Sequence, residues 1–132
     1  MARILLIDDD DDVRASVEAT LRHAGHSVVA ARNGREALAY FASDSFDLIV
    51  TDLIMPEMEG IETILEFRKL EKTIPILAMS GAGLSSEYAL YLDAARKLGA
   101  DAALRKPFSA AQLRATVDRL TANPSGGWGP PL

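Results

Sequence analysis

Short apolar runs recur along the chain, and their regular return limits what it can fold into. Ile4-Leu5-Leu6-Ile7, Val28-Val29-Ala30, Leu48-Ile49-Val50, Ile76 to Met79 and Ala102-Ala103-Leu104 are each preceded by a turn-forming or charged residue and followed by one within two positions. Runs of this kind read as strands buried on both faces, as in parallel sheets. The segments between them carry helical spacing instead. Val13, Val17, Leu21 and Ala24 form one stripe ending at Gly25, and Ala37, Leu38 and Phe41 a second within Arg35 to Ala42. Ile61, Ile64 and Leu65 form a third within Gly60 to Leu70, and Leu84, Tyr88, Tyr91, Leu92, Ala95 and Leu98 a fourth ending at Gly99. Leu113, Val117 and Leu120 form the last, from about Ser109. Five strands alternating with five helices predict an α/β fold, a (βα)5 doubly wound parallel sheet in a single domain with right-handed crossovers.

Length and charge narrow the function. A chain of 132 residues holds one domain, expected over residues 1–122. The Gly- and Pro-rich stretch 123–132, NPSGGWGPPL, cannot continue a helix and reads as a tail or the start of a linker, with Trp128 as a partner contact or linker residue. With 19 acidic and 14 basic residues the net charge is −5, which argues against nonspecific nucleic-acid binding and suits a cationic partner or a divalent metal, and no direct nucleic-acid binding is expected. No cysteine is present, so disulfides and thiolate chemistry are excluded. Ile4 to Ile7 is too short for a signal peptide or a membrane span, so a soluble cytoplasmic protein with no membrane contact is expected.

In an open parallel sheet, ligands bind just past the carboxyl ends of the strands. Those positions hold Asp8-Asp9, Asp52, Ser80 and Lys106. Taken singly, each has an ordinary explanation: a turn carboxylate, a solvated acidic run, a lysine beside a proline. Taken jointly, they put carboxylates, a hydroxyl and an ammonium on one sheet edge. Carboxylates about 4 Å apart repel by about 4 kcal/mol at an effective dielectric near 20. Such a cluster invites a divalent cation, and hard oxygen donors without His or Cys point to Mg2+. A metal beside a carboxylate, with a lysine and a hydroxyl in reach, suits phosphoryl transfer onto that carboxylate. Asp10, Asp11 and Asp12 are read as helix-capping and solubilising residues. His23 and His26, flanking Gly25 far from the strand ends, are read as surface residues and not as ligands.

The stretches ILLIDDD, DLIVTDLIMPEMEG, ILAMSG and Lys106-Pro107-Phe108 resemble the response-regulator receiver domain of two-component signalling, over about residues 1–122. The resemblance implies a flavodoxin-like sheet of strand order 2-1-3-4-5. It implies that Asp52 is the phosphoacceptor and Asp9 a direct Mg2+ ligand, with Asp8 as a water-mediated or supporting partner and the Ile54 backbone carbonyl as a further ligand. Ser80 and Lys106 match the hydroxyl and lysine that read the phosphorylated state. The donor would be a sensor histidine kinase or a histidine phosphotransfer protein. The output would reach an unidentified downstream protein through the face of the fourth helix, fifth strand and fifth helix. Such a domain assists its own phosphorylation and dephosphorylation without being a turnover enzyme. A cis Lys106–Pro107 peptide is also expected by resemblance.

The chain departs from the family in three respects. Ala103 stands where an aromatic residue is common, so switching by rotation of that ring is unavailable. The segment from Ser80 to Gly99 looks about one helical turn longer than usual. Nothing resembling an output domain follows residue 122. Two other readings compete. A pseudo-receiver would bind a partner without phosphorylation, but such domains usually lack the acidic pair, the acceptor or the lysine, all present here. A haloacid-dehalogenase-like phosphatase is formally matched by Asp8-x-Asp10, but it needs a small hydroxyl or apolar residue at position 12, where Asp12 stands, and an acidic pair after the lysine, where only Asp118 follows, on a helix.

Overall fold

The computed structural model describes residues 1–53, 60–71, 73–80, 93, 95–97 and 99–122. Strands β1 (Arg3–Ile7), β2 (Ser27–Ala31), β3 (Leu48–Asp52), β4 (Ile76–Ser80) and β5 (Ala102–Arg105) form one sheet in the order β2-β1-β3-β4-β5. All pairings are parallel, with Ile7 opposite Thr51, Asp52 opposite Met79 and Ser80 opposite Arg105. This is the expected flavodoxin-like fold in one small domain.

Side chains alternate across a strand, so the sheet divides the apolar residues into two cores. From β1, Ile4 and Leu6 pack with Val17, Leu21, Leu113, Val117 and Leu120, while Leu5 and Ile7 pack with Ile49, Ile64, Phe67 and Ala95. The first layer is covered by α1 (Asp11–His23) and α4 (Ala110–Ala122), the second in part by α2 (Gly34–Ser43) and α3 (Gly60–Leu70). Three of these helices, α1, α2 and α4, start where the sequence supplies a cap. Asp10 accepts from the Asp12 and Val13 N–H groups, and Asn33 from the Glu36 N–H. At α4, Ser109 Oγ accepts from the Gln112 N–H at 3.0 Å and Gln112 Oε1 accepts from the Ser109 N–H at 2.9 Å, a reciprocal capping box. Gly25 ends α1 at φ +98° and Gly99 sits at φ +119°, where a Cβ is penalised.

Two expectations need correction. Leu65 is 41% exposed, and Phe67 takes the buried place on α3, three residues after Ile64 on the same helical stripe. Phe67 then meets Phe41 edge-on, with ring centroids 5.0 Å apart. His26 is not a surface residue: its side chain is 7% exposed, because Nδ1 accepts the Ala2 backbone N–H at 3.0 Å. Most of the fourth helical stripe and the whole 123–132 stretch lie outside the described residues, although Asp93 and Ala95 to Lys97 are helical and Ala95 is buried.

Candidate functional site

Because all five strands run the same way, their carboxyl ends meet at one edge. The β1–α1 turn carries Asp8 and Asp9 there, β3 ends on Asp52, β4 ends on Ser80, and Lys106 follows β5. Backbone bonds continue each strand by one step and fix these positions: the Asp8 N–H donates to the Ala31 carbonyl, Leu53 N–H to Met79, and Lys106 N–H to Ser80 at 2.7 Å. The Lys106–Pro107 peptide is cis, as expected.

Asp8, Asp52 and Ser80 are buried, whereas Asp9 is exposed. Asp8, Asp9 and Asp52 each offer a carboxylate oxygen, all within 4.8 Å of one another. Lys106 Nζ donates to Asp8 Oδ2 at 2.9 Å and lies 3.5 Å from Asp52 Oδ2. Burial pulls the lysine pKa down, but the hydrogen bond to Asp8 and the charges of Asp52 and Asp8 outweigh it, leaving the ammonium above its ordinary value. The second oxygen of Asp8, Oδ1, accepts the Asp10 N–H at 2.9 Å. Asp10 itself is committed to capping α1, in accord with its expected role.

The edge therefore brings together Asp8, Asp9, Asp52 and Lys106 by direct geometry, and Ser80 by strand register. The Ile54 carbonyl lies outside the described residues. His26 stands at the opposite edge, beside Ala2, the residue before β1. Sequence reasoning missed Arg14, whose guanidinium turns back from α1 and donates from NH1 to the Asp8 carbonyl at 2.9 Å. Its only signal in the sequence is its place four residues after the Asp10 cap.

A donor set of three carboxylates with no nitrogen or sulfur ligand fits a hard divalent cation. The match with known proteins extends over the whole fold: the Response regulator receiver domain family matches residues 4–118. The chain belongs to that family. The receiver is 40% identical over 129 residues to the response regulator MprA of Mycolicibacterium vanbaalenii, which covers 95% of the receiver and 54% of MprA. The receiver spans about half the length of the curated relatives it matches. Among solved structures it is similar to the chemotaxis protein CheY4 of Vibrio cholerae, with 36% identity and a TM-score of 0.80, covering 90% of the receiver and 98% of CheY4. It is also similar to NtrX of Brucella abortus, with 27% identity and a TM-score of 0.86, covering 92% of the receiver and 27% of NtrX. Domains of this family act in general as phosphorylation switches and are generally not turnover enzymes. Among the described residues, no helix is long and apolar enough to cross a membrane.

Proposed function

We propose that the receiver accepts a phosphoryl group on Asp52 from a phosphohistidine of a sensor histidine kinase or a histidine phosphotransfer protein. The observation that carries this reading is the meeting of Asp8, Asp9 and Asp52 within 4.8 Å, with Lys106 against two of them. Asp52 ends the central strand β3 between the other groups. A carboxylate oxygen of Asp52 bonds to phosphorus as the phosphorus–nitrogen bond of the donor breaks. The electron pair returns to the imidazole nitrogen, which takes a proton from solvent.

Mg2+ would be held by Asp9, Asp52 and the Ile54 carbonyl, with Asp8 supporting, and when bound it supplies charge compensation for the phosphoryl oxygens. Lys106 offers a second positive charge, and Ser80, at the end of the neighbouring strand, a hydroxyl for one phosphoryl oxygen. The haloacid-dehalogenase reading is weakened by Asp10, whose carboxylate is occupied in capping α1.

The same reading takes residues 1–122 as the receiver unit, 123–132 as a tail or linker, and the cytoplasm as its compartment. Its output would pass through the helix ending at Gly99, β5 and α4 to a downstream protein. Ala103 on β5 is buried and carries no ring, so the response is expected mainly in the segment from Ser80 to Leu98. Hydrogen exchange with and without beryllofluoride reads that change.

The test of the chemistry is labelling by acetyl phosphate with Mg2+, followed by mass spectrometry of the modified residue. Acyl phosphate on Asp52, absent from Asp52→Asn, is the expected result. No labelling of the folded wild type would favour the pseudo-receiver reading. Steady release of phosphate from simple monoesters would favour a phosphatase.

A further inference from the structure

We infer that Arg14 is a positioning residue for the cation site: by holding the Asp8 carbonyl it fixes the peptide plane that aims Asp9. The inference rests on the proposed Mg2+ role of this edge. Asp8 is held at four points. Its N–H donates to the Ala31 carbonyl at 3.1 Å, and its Oδ2 accepts from Lys106 at 2.9 Å. Its Oδ1 accepts the Asp10 N–H at 2.9 Å, and its carbonyl accepts from Arg14 NH1 at 2.9 Å. Of these, only the last fixes the peptide between Asp8 and Asp9.

A peptide unit is planar, so fixing its carbonyl also fixes its N–H and the direction to the next Cα. That Cα belongs to Asp9, the exposed member of the carboxylate trio. Asp8 and Asp52 are buried at strand ends, whereas Asp9 depends on the turn for its direction.

Arg14 is itself well placed to hold still. Its side chain is 17% exposed, its NH2 donates to Asp11 Oδ1 at 2.5 Å, and its own N–H donates to the Asp10 carbonyl in the first turn of α1. The planar guanidinium thus ties the Asp8 carbonyl to the start of the helix through two nitrogens, which a lysine ammonium would reproduce poorly.

Charge and position make opposite demands, which allows a clean test. A guanidinium near three carboxylates repels an arriving cation, so if charge were its whole contribution, removing it would tighten Mg2+ binding. If Arg14 acts by position, removing it loosens binding, because outer groups that orient metal ligands are worth about 10- to 100-fold in affinity.

The experiment measures Mg2+ affinity directly, by calorimetry and by Mn2+ electron paramagnetic resonance with Mg2+ competition, on wild type, Arg14→Met and Arg14→Gln. Arg14→Met is expected to weaken Mg2+ about tenfold. Arg14→Gln, which loses the charge but keeps an N–H donor, should fall between it and wild type. In acetyl phosphate labelling, the Mg2+ giving half-maximal rate should rise more than the saturated rate falls. Unchanged or tighter binding in Arg14→Met overturns the inference, as does a fall in saturated rate alone. Should Arg14→Met fail to fold, Arg14→Gln decides: about threefold or greater weakening supports the inference, and wild-type or tighter affinity ends it. A folded wild type that binds no Mg2+ would instead refute the reading on which the inference rests.

Discussion

Lys106 Nζ sits 2.9 Å from Asp8 Oδ2, although 98 residues separate the two in the chain. The contact closes the sheet edge between β1 and the β5–α4 connection, and it neutralises a fully buried carboxylate. Breaking such a pair by removing one partner is more costly than the pair is stabilising, since the remaining charge stays buried.

Lys106→Met should therefore destabilise the metal-free protein by about 3 kcal/mol. Urea denaturation with and without Mg2+ measures this. Part of the loss should return on adding Mg2+, because a cation bound to the acidic trio restores positive charge beside Asp8 and Asp52. Wild-type stability of Lys106→Met in chelator would contradict the argument.

The raised pKa of Lys106 fixes the sign of an alkaline effect. Its folded value lies above the ordinary 10.5, so its contribution is complete below 10.5 and is lost as pH rises through the folded value. In chelator, the stability difference between wild type and Lys106→Met should be constant through neutral pH. It should then shrink above about pH 10.5. A difference that widens with rising pH would show that the sign is wrong.

Asp9→Asn should weaken Mg2+ by at least about tenfold while leaving the fold intact, since Asp9 is exposed and belongs to the carboxylate trio. Asp52→Asn should abolish acyl phosphate labelling. Calorimetry and mass spectrometry read the two outcomes separately, and strong labelling of Asp52→Asn would remove Asp52 from its proposed role.

At the opposite edge, Arg68 donates to the Gly99 carbonyl from NH2 at 2.6 Å, to the Ile74 carbonyl at 2.7 Å and to Asp101 Oδ2 at 2.9 Å. A Cβ on Gly99 would lie 2.6 Å from Arg68 Nε, at a φ of +119°. Gly99→Ala should cost about 1–3 kcal/mol from backbone strain, plus the displaced arginine bonds. In an Arg68→Ala background the cost should drop toward the strain alone, a coupling that a double-mutant cycle by urea denaturation detects. Strict additivity would show that Arg68 yields freely.

How much of this was legible in the sequence differs between strand ends and the groups around them. Asp8, Asp9, Asp52, Ser80 and Lys106 could be found because a buried parallel strand announces itself as an apolar run, and the one or two residues after the run mark the ligand edge. Phe67 was missed because the stripe on α3 offered Leu65 and Phe67 as competing neighbours of Ile64, and only packing against Phe41 chooses between them. His26 and Arg14 were missed for another reason. Each is held by a backbone group, the Ala2 N–H and the Asp8 carbonyl, and every residue type but proline presents those same two groups. No pattern of side chains marks such a partner.

The parallel strands also separate two electrical environments. A strand of five residues is about 16 Å long, roughly twice the ~8 Å over which salt lets surface charges feel one another at physiological ionic strength. The exposed Arg3–Asp44 ion pair belongs to the starting edge of the sheet, and the acidic trio to the finishing edge. Surface charge at the starting edge can thus be rewritten, to suit whatever protein is fused or docked there, without detuning the metal affinity proposed for the finishing edge.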